Sequence, residues 1–235
     1  MSLEGIFPID KWDFMSDSVF TDLSADEYRT MTRRAQEEKH KKGQVIFRED
    51  ATPYGIHYIL AGKVKKFKVD NFGKEQIIYV ANAGELIGYH AVLSTERYPD
   101  AATALEDCII LFIPKEDFLE ALRKSPALSG RLLKMLSHEF TVLSNSISIF
   151  AQRPVRERLA ITLIVLREKF KKGNEEGQQV IINLSRTDIA SMAGTTRENV
   201  VRLLREFKES SLIGIQGRKI WINDIKKMIA ISNYQ

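Results

Sequence analysis

The chain has 235 residues, of which 44% are hydrophobic and 28% are charged, and its 35 basic and 31 acidic side chains give a formal net charge of +4. This composition is typical of a globular protein with one large domain or two smaller ones. The single cysteine, Cys108, excludes a disulfide within the chain and a four-cysteine iron–sulfur or zinc site.

The first stretch of the chain, MSLEGIFPIDKWDF, has early acidic residues and no apolar core, so it does not resemble a secretory signal. Elsewhere no run approaches the roughly 18–20 uninterrupted apolar residues of a membrane span. We therefore expect a cytoplasmic protein that has no membrane partner.

Residues 24–40, SADEYRTMTRRAQEEKH, predict a charged helix that begins at Ser24, with Glu27 completing a capping box. From residue 43 to 118, short β-rich runs alternate with Gly, Pro, Asn and Asp, and DNFGKE at 70–75 predicts a hairpin turn. Strands at this spacing indicate a small β-barrel or jelly roll, built from the runs QVIF, GIHYILAG, KVKKFKVD, EQIIYVA and CIILFIP. The lysines of KVKKFKV predict a solvated edge strand that resists aggregation, and a binding patch is the alternative.

After Pro126 the apolar residues follow a helical period, with a narrow 3.5-residue repeat that is typical of a helix–helix interface. This favours a homodimer over a helix that packs only on its own barrel. The predicted dimer seam consists of Leu133, Leu136, Phe140, Leu143, Ile147 and Phe150. A second helix over 155–170, a polar linker KKGNEEGQQ over 171–179 and a short strand VIINL follow.

The stretch LSRTDIASMAGTTRENVVRLL (184–204) predicts two short helices joined by a turn. Ser185 and Asp188 form a capping-box start, and Gly194 stands where a left-handed C-terminal residue is needed. Thr195 is then predicted to cap the second helix, with Glu198 as its third residue.

The second helix is predicted to have one polar and one apolar face. With Arg197 at zero and about 100° per residue, Val201, Arg205, Glu198 and Arg202 fall within about 140°. The apolar residues occupy the opposite arc: Val200, Leu203, Leu204 and Phe207.

Arg, Glu and an apolar side chain on one helix face are suited to reading guanine, cytosine and the thymine methyl in the major groove. The alternative is an ordinary amphipathic helix whose solvent-exposed face carries an ion pair between Glu198 and Arg202. Two further features favour DNA binding. LIGIQGRKIWIND (212–224) predicts a basic hairpin, or wing, whose Arg218 and Lys219 can reach phosphates, and Arg205 is a further phosphate candidate. Residues 151–235 also carry 16 basic and 9 acidic residues, whereas residues 1–150 carry 19 and 22.

In these features the chain resembles the cyclic-AMP receptor and fumarate–nitrate regulator (Crp/Fnr) family of bacterial transcription factors. The resemblance covers nearly the whole chain and rests on KGQVIF, YILAGKVKKF, AGELIG, RERLAITL and, most closely, RTDIASMAGTTRENVVRLLREFKESSLI. It implies an α+β fold with a cyclic-nucleotide-binding-like β jelly roll over 1–125, a long dimerisation helix over 126–152 and a winged helix-turn-helix over 153–235. It also implies double-stranded DNA, a second copy of the chain and RNA polymerase as partners.

The resemblance assigns roles to matching residues. Arg197, Glu198 and Arg202 match the family's Arg-Glu-x-x-x-Arg pattern, which reads half-sites like TGTGA. Arg186 and Thr196 match phosphate-contacting positions. Val201 replaces a residue that is usually small or polar, so we expect a different half-site preference near that base pair.

In the family's nucleotide-binding branch, a Gly-Glu pair holds the ribose and a later Arg-Ser/Thr-Ala binds the cyclic phosphate. The first part is matched by Gly84, Glu85 and Leu86, but Tyr98, Pro99 and Asp100 stand where the second is expected. Proline has no backbone N–H and an aspartate repels phosphate, so we expect no ordinary cyclic-AMP binding. The alternative is that Arg97, beside Tyr98, binds the phosphate from a shifted loop.

The sequence also bears on other cofactors and functions. One cysteine cannot hold the oxygen-sensing cluster of the fumarate–nitrate branch, and Cys108, within CIILFI, is predicted to be a buried hydrophobe rather than a redox switch. A haem-sensing member remains an alternative, with His40, His57, His90 or His138 as possible ligands. A cupin-like metal enzyme lacks its histidine cluster, a DNA-processing enzyme lacks its carboxylates or nucleophile, and a regulatory subunit would not need the DNA-binding end. We therefore expect a regulator with no enzymatic activity.

Overall fold

Two compact units divide the chain in the computed structural model, which describes residues 3, 5–16, 18–21, 23–171 and 179–234. One unit contains residues 14–140, and the other contains residues 1–13 together with 141–235. The chain therefore passes between the units twice. The predicted domain boundaries fall at the two ends of a long helix and stay predictions. Most of the predicted linker, residues 172–178, lies outside the described residues.

The first unit is a β-rich domain in which the described strands pair as two four-stranded antiparallel sheets, as the sequence predicts. The sheets have the orders β1-β8-β3-β6 and β2-β7-β4-β5. The strands are β1 (Gln36–His40), β2 (Val45–Phe47), β3 (Gly55–Ala61), β4 (Lys63–Val69), β5 (Glu75–Asn82), β6 (Leu86–Ile87), β7 (Ala101–Ala104) and β8 (Cys108–Pro114). The helices of this unit are α1 (Ser18–Thr21), α2 (Ala25–Thr32), α3 (Tyr89–Ser94) and α4 (Lys115–Lys124).

The prediction of a helix over residues 24–40 is only partly correct. The predicted capping box is present, but α2 ends at Thr32, and β1 pairs with β8 in place of a longer helix. Asp117 provides the physical reason, because its buried carboxylate accepts the backbone N–H of Arg34 at 3.1 Å and the guanidinium of Arg34 at 2.8 Å. The hydrogen bonds from Arg34 lower the pKa of Asp117 and fix the chain at the point where it leaves the helix.

The prediction that KVKKFKV is a solvated edge strand is wrong. β4 lies between β7 and β5, so both of its sides are hydrogen-bonded. Lys65 and Lys66 are buried, and their ammonium groups pair with Glu75 at 2.5 Å and with Asp100 at 3.3 Å. Ion pairing is what allows a buried lysine to stay charged, so these two lysines form neither an aggregation guard nor a surface patch.

The long helix α5 (Pro126–Gln152) contributes one apolar stripe to the core of the first unit. Leu128, Leu132 and Met135 are at most 4% exposed and pack with Phe118 and Ile56 in a hydrophobic core cluster. The helix is therefore anchored on the barrel by one side, which leaves the residues of its other side available.

The second unit packs around the helix α6 (Val155–Lys169), in which nine residues, most of them apolar, are buried. A three-stranded sheet with the order β10-β11-β9 pairs antiparallel, and the predicted strand in VIINL is confirmed as β9. The remaining elements are β9 (Ile182–Asn183), α7 (Arg186–Ala193), α8 (Arg197–Glu209), β10 (Ile213–Gln216), β11 (Lys219–Ile222) and α9 (Ile225–Ser232).

In the β10–β11 hairpin, a glycine of one strand makes a close contact with a tryptophan of the other. A Cβ atom at Gly214 would lie 2.1–2.3 Å from atoms of the Trp221 indole, which real contacts do not allow. Position 214 therefore needs glycine, because the opposite indole covers the strand.

The N-terminal segment before Asp13 belongs to the second unit. A 3-10 helix (Ile9–Trp12) follows Phe7, and the rings of Phe7 and Trp12 contact Tyr234 with centroids 5.8 and 5.5 Å apart. Lys169, which is 5% exposed, pairs with Asp13 at 3.2 Å. Among the described residues, no helix is both long and apolar enough to cross a membrane.

Candidate nucleic-acid interface

The helix-turn-helix begins and turns where the sequence predicts. The Oγ of Ser185 accepts the backbone N–H of Asp188 at 2.9 Å and caps α7. Gly194 follows the helix with φ +62°, a left-handed conformation that favours glycine. The motif thus has a fixed entry and a tight turn before the second helix.

α8 begins one residue later than predicted. Thr196, and not Thr195, is the N-cap, and its Oγ1 accepts the backbone N–H of Asn199 at 3.3 Å. Thr195 is buried, and its hydroxyl accepts the side-chain amide of Asn199 at 3.2 Å. Glu198 is therefore the second helical residue and lies close to the positive end of the helix dipole.

The two faces of α8 are divided as predicted. Val200, Leu203, Leu204 and Phe207 are at most 2% exposed, and they pack the helix into the unit. Val201 is 47% exposed, although it is apolar. The exposed face consists of Arg197, Glu198, Val201, Arg202 and Arg205.

The ion pairs along this face differ from the predicted alternative. Arg202 pairs with Glu206 at 2.6 Å rather than with Glu198, and Arg205 pairs with Glu209 at 2.9 Å. Arg197 and Glu198 have no hydrogen-bond or ion-pair partner within the described part of the chain. The N-terminal end of α8 therefore presents a cationic and an anionic group that are both open to a ligand.

The predicted wing is present as the β10–β11 hairpin, whose tip is Gly217 and the exposed residues Arg218 and Lys219. Arg186, predicted to contact phosphate, donates instead to the backbone carbonyls of Gly217 at 2.8 Å and Arg218 at 3.1 Å. Burial lowers the pKa of Arg186. In this structure Arg186 connects the start of α7 to the wing, and its predicted phosphate contact stays a prediction.

One residue of this region was missed by the sequence analysis. Arg158 of α6 donates from Nε to the carbonyl of Ala193 at 3.0 Å and from Nη2 to that of Gly194 at 2.9 Å. Its Nη1 donates to the carbonyl of Arg153 at 3.0 Å, just beyond α5. No sequence signal identifies such a residue, because its partners are backbone carbonyls remote in the chain.

Leu133, Phe140 and Ile147 of the predicted dimer seam lie on the side of α5 that its own chain leaves open, whereas Leu136 packs against the apolar core of the first unit. Leu133, Phe140 and Ile147 are 67–73% exposed, and Phe150 is 39% exposed. The other two seam residues, Leu136 and Leu143, are half-buried. Three large apolar side chains at seven-residue intervals are a costly surface for a monomer, and they match the repeat of paired helices.

The residues predicted for an effector site differ in their surroundings, and their role in effector binding stays a prediction. Glu85 is buried and accepts from the hydroxyl of Tyr79 at 2.5 Å and from the backbone N–H of Asn82 at 2.9 Å. Tyr98 donates to a backbone carbonyl and stacks on a phenylalanine, and burial raises its pKa to about 12. Gly84 has φ +92°, and Leu86 belongs to the apolar core. Arg97 is exposed and lines a depression of about 360 Å³ that Glu85 does not reach.

A second set of polar groups connects α3 to α5. The buried carboxylate of Glu139 accepts from the hydroxyl of Tyr89 at 2.5 Å and lies 2.9 Å from Nε2 of His90. Hydrogen bonding and the positive charge of Lys66 favour its ionised form, and the pKa of Glu139 is lowered even though burial opposes this. The sequence gives no hint of these contacts, because Glu139 reads as a charged position of an exposed helix.

Three histidines and the cysteine have different surroundings. His40 bonds to Glu38, His57 is buried, and His90 is engaged with Glu139. Cys108 is buried as predicted, and its Sγ donates to backbone carbonyls at 3.2 and 3.3 Å. Among the described residues, no three His, Cys, Asp or Glu side chains are grouped as a metal site.

Two family models match the chain. Residues 37–125 match the cyclic nucleotide-binding domain, and residues 157–231 match the Crp-like helix-turn-helix domain. The matched ranges coincide with the β-rich unit and with the part of the second unit that contains α6 to α9.

Named relatives cover most of the chain. It is 29% identical over 196 residues to the transcriptional activator protein anr of Pseudomonas aeruginosa, which spans 83% of this chain and 80% of that protein. It is 28% identical over 192 residues to the anaerobic regulatory protein of Haemophilus influenzae, spanning 82% and 74% of the two chains.

The fold is shared with solved structures. FixK2 from Bradyrhizobium japonicum aligns with a TM-score of 0.72 at 20% identity, covering 84% of this chain and 96% of that one. A transcriptional regulator of the CRP/FNR family from Thermus thermophilus aligns with a TM-score of 0.70 at 23% identity, covering 84% and 98%.

Proposed function

The chain belongs to the Crp/Fnr family of DNA-binding transcription regulators, and we propose that it acts as a homodimer on near-palindromic DNA. The observation that carries this proposal is the exposed face of α8, where Arg197 and Glu198 are open at the helix end. Because neither side chain is paired within the described chain, each can contact a base edge without first breaking an ion pair.

Four exposed side chains of α8 are suited to direct readout of bases. The guanidinium of Arg197 or Arg202 can donate two hydrogen bonds to O6 and N7 of guanine. The carboxylate of Glu198 can accept from the amino group of cytosine, and Val201 can contact a thymine methyl group. Arg202 must exchange its partner Glu206 for a base, so its contribution is smaller than that of Arg197.

Phosphate contacts surround these base readers. The N-terminal end of α8 favours an anion, and the hydroxyl of Thr196 can donate there while its lone pair caps the helix. Arg205, Arg218 and Lys219 are exposed around the same motif and supply positive charge to the DNA backbone.

The dimer seam supplies the second recognition helix. Pairing α5 with its copy would bury Leu133, Phe140 and Ile147, and two recognition helices would enter successive major grooves about 34 Å apart. The DNA-bound dimer would then meet RNA polymerase, and a signal at the N-terminal barrel would shift the balance between two arrangements of the helix pair.

We also propose that cyclic AMP is not this signal. Asp100 occupies the region where the family's phosphate ligands are expected, and its carboxylate is paired with buried Lys66. A cyclic phosphate would need to displace that pair. Calorimetric detection of a cyclic-AMP site of micromolar or tighter affinity would overturn this part of the proposal.

The proposed reading is tested by selecting bound sequences from random DNA with the wild type and with Arg197→Ala. The wild type should enrich a palindrome. The variant should lose preference at one position of each half-site and bind about 1–3 kcal/mol more weakly. Lys208→Ala, at the far end of the same helix, is the matched control and should keep the full pattern. Enrichment of no palindrome by the wild type contradicts the proposal.

A further inference from the structure

The guanidinium of Arg158 donates hydrogen bonds to backbone carbonyls at the ends of two different helices. Ala193 and Gly194 end α7 and form the turn before α8, whereas Arg153 follows α5 directly. The three donor–acceptor distances are 2.9–3.0 Å, which is the normal range for strong N–H···O bonds.

These carbonyls are groups that a helix end leaves without partners. The last carbonyls of a helix have no intrahelical donor and carry the negative end of its dipole, so a guanidinium there is favoured. One arginine thus completes the C-terminal end of α7 and binds the carbonyl that follows α5.

The side chain is held in place by its surroundings as well. It is half-buried, and its guanidinium lies 5.9 Å from the ring centroid of Phe150 in the last turn of α5. Burial lowers the pKa of Arg158, which shows that its charge is partly desolvated. No carboxylate among the described residues pairs with it, so its function is directed at the backbone.

We propose that Arg158 is a positioning residue that fixes the turn of the DNA-reading motif to the end of the dimerisation helix. This rests on the proposed dimeric reading of DNA, because the fixed angle matters only when two motifs must fit one site. Gly194 is three residues before Arg197, so movement of the turn carries the base readers with it. Arg158 would therefore set the spacing between half-sites and leave the choice of bases to α8.

The test uses the full-length protein with Arg158→Ala and Arg158→Lys. Lysine keeps the charge but cannot form three carbonyl bonds at once, because it lacks the planar fork of donors. Arg156→Ala is the matched control, since Arg156 is an exposed arginine on the same helix whose described contact is with the ring of Phe207.

The first measurement compares affinity for the selected palindrome with affinity for the same half-sites one base pair closer or farther apart. Both Arg158 variants should lose this discrimination by about tenfold, the equivalent of one charge-assisted hydrogen bond, while their base preferences stay unchanged. Arg156→Ala should keep it. Equal weakening at every spacing, or unchanged discrimination in both variants, overturns the proposal.

The second measurement does not depend on dimeric DNA binding. Amide hydrogen exchange at Gly194 and Thr195, whose N–H groups both bond to the carbonyl of Ala190, should be about tenfold faster in both Arg158 variants of the free protein and unchanged in Arg156→Ala, because local opening of the turn becomes easier. If the wild type enriches no palindrome but the turn loosens, the proposed function fails and the positioning contact remains. Unchanged exchange in the Arg158 variants overturns the contact itself.

Discussion

The arginines of the DNA-binding unit have three kinds of surroundings, and these separate residues that sequence patterns treat alike. Arg197 is exposed and has no partner within the described chain, so it is ready for a ligand. Arg202 and Arg205 are paired with glutamates one turn along the helix. Arg158 and Arg186 donate to backbone carbonyls and hold the motif together, as the preceding distances show.

A buried histidine makes stability depend on pH. His57 is 5% exposed, its Nδ1 has no hydrogen-bond partner in the described structure, and burial lowers its pKa to about 3. The unfolded chain binds a proton there below about pH 6.5, whereas the folded chain does not. The contribution of neutral His57 to stability is thus complete above pH 6.5 and decreases as the pH falls toward 3.

In the wild type, protonation of His57 in the unfolded chain lowers the free energy of unfolding by up to about 1.4 kcal/mol per pH unit between pH 6.5 and 5. We expect the His57→Leu variant to lack this contribution, so its free energy of unfolding should fall less over the same range. Urea denaturation at a series of pH values measures this slope. Ile56→Leu, a change at the buried neighbour on β3 that removes no titrating group, is the control and should keep the wild-type slope. An identical slope in His57→Leu and the wild type would show that His57 is not the titrating group.

At the level of single elements, α8 was predictable because its period alone separates buried from exposed residues. β4 was not, because the burial of Lys65 and Lys66 depends on Glu75 and Asp100, which come later in the chain. A run of lysines looks like a solvated edge until their partners are known. The start of α8 moved by one residue for a related reason: two adjacent threonines offer the same cap, and only packing buries one of them.

β1 is a second element that could not be predicted from its local sequence. Its residues, QEEKH, have no β-rich composition, and they continue the charged pattern of the helix before them. The strand exists because β8 offers a row of backbone partners, from Gln36 opposite Phe112 to His40 opposite Cys108. Tertiary pairing overrides local propensity here, and no window of sequence contains both strands.

The exposed side of α5 leads to a prediction about assembly. Phe140→Glu and Ile147→Glu should each convert the proposed dimer to a monomer, because a carboxylate in an apolar seam lacks a partner. Sedimentation equilibrium measures the change. Ser148→Glu places the same charge beside the seam on an exposed position and should leave the dimer intact. A dimer that survives both seam substitutions would show that another surface pairs the chains.

For the whole molecule, the positive charge is concentrated in the C-terminal part of the sequence, so affinity for DNA should depend on salt through that part alone. Each phosphate contact contributes about 0.9 to the slope of log affinity against log salt. Arg218→Ala removes two contacts per dimer and should reduce the slope by about 2.

Fluorescence anisotropy with labelled DNA at several salt concentrations measures this slope. Lys42→Ala, an equal change of charge at an exposed position of the first unit, is the control and should leave it unchanged. The backbone carbonyl of Arg218, which Arg186 binds, is retained in the alanine variant, so the wing should stay in place. A slope that falls equally in both variants would indicate a general effect of charge.

The second unit is built from both ends of the sequence, and this orders its assembly in time. Phe7 and Trp12 are synthesised more than 200 residues before their partner Tyr234, and Asp13 is separated from Lys169 by 156 positions. Contacts between such distant residues form slowly and late. All residues of the first unit are available once Phe140 has been synthesised. A nascent chain would therefore contain a folded barrel, while the segment with Phe7 and Trp12 would lack its partner until α9 and Tyr234 have been synthesised.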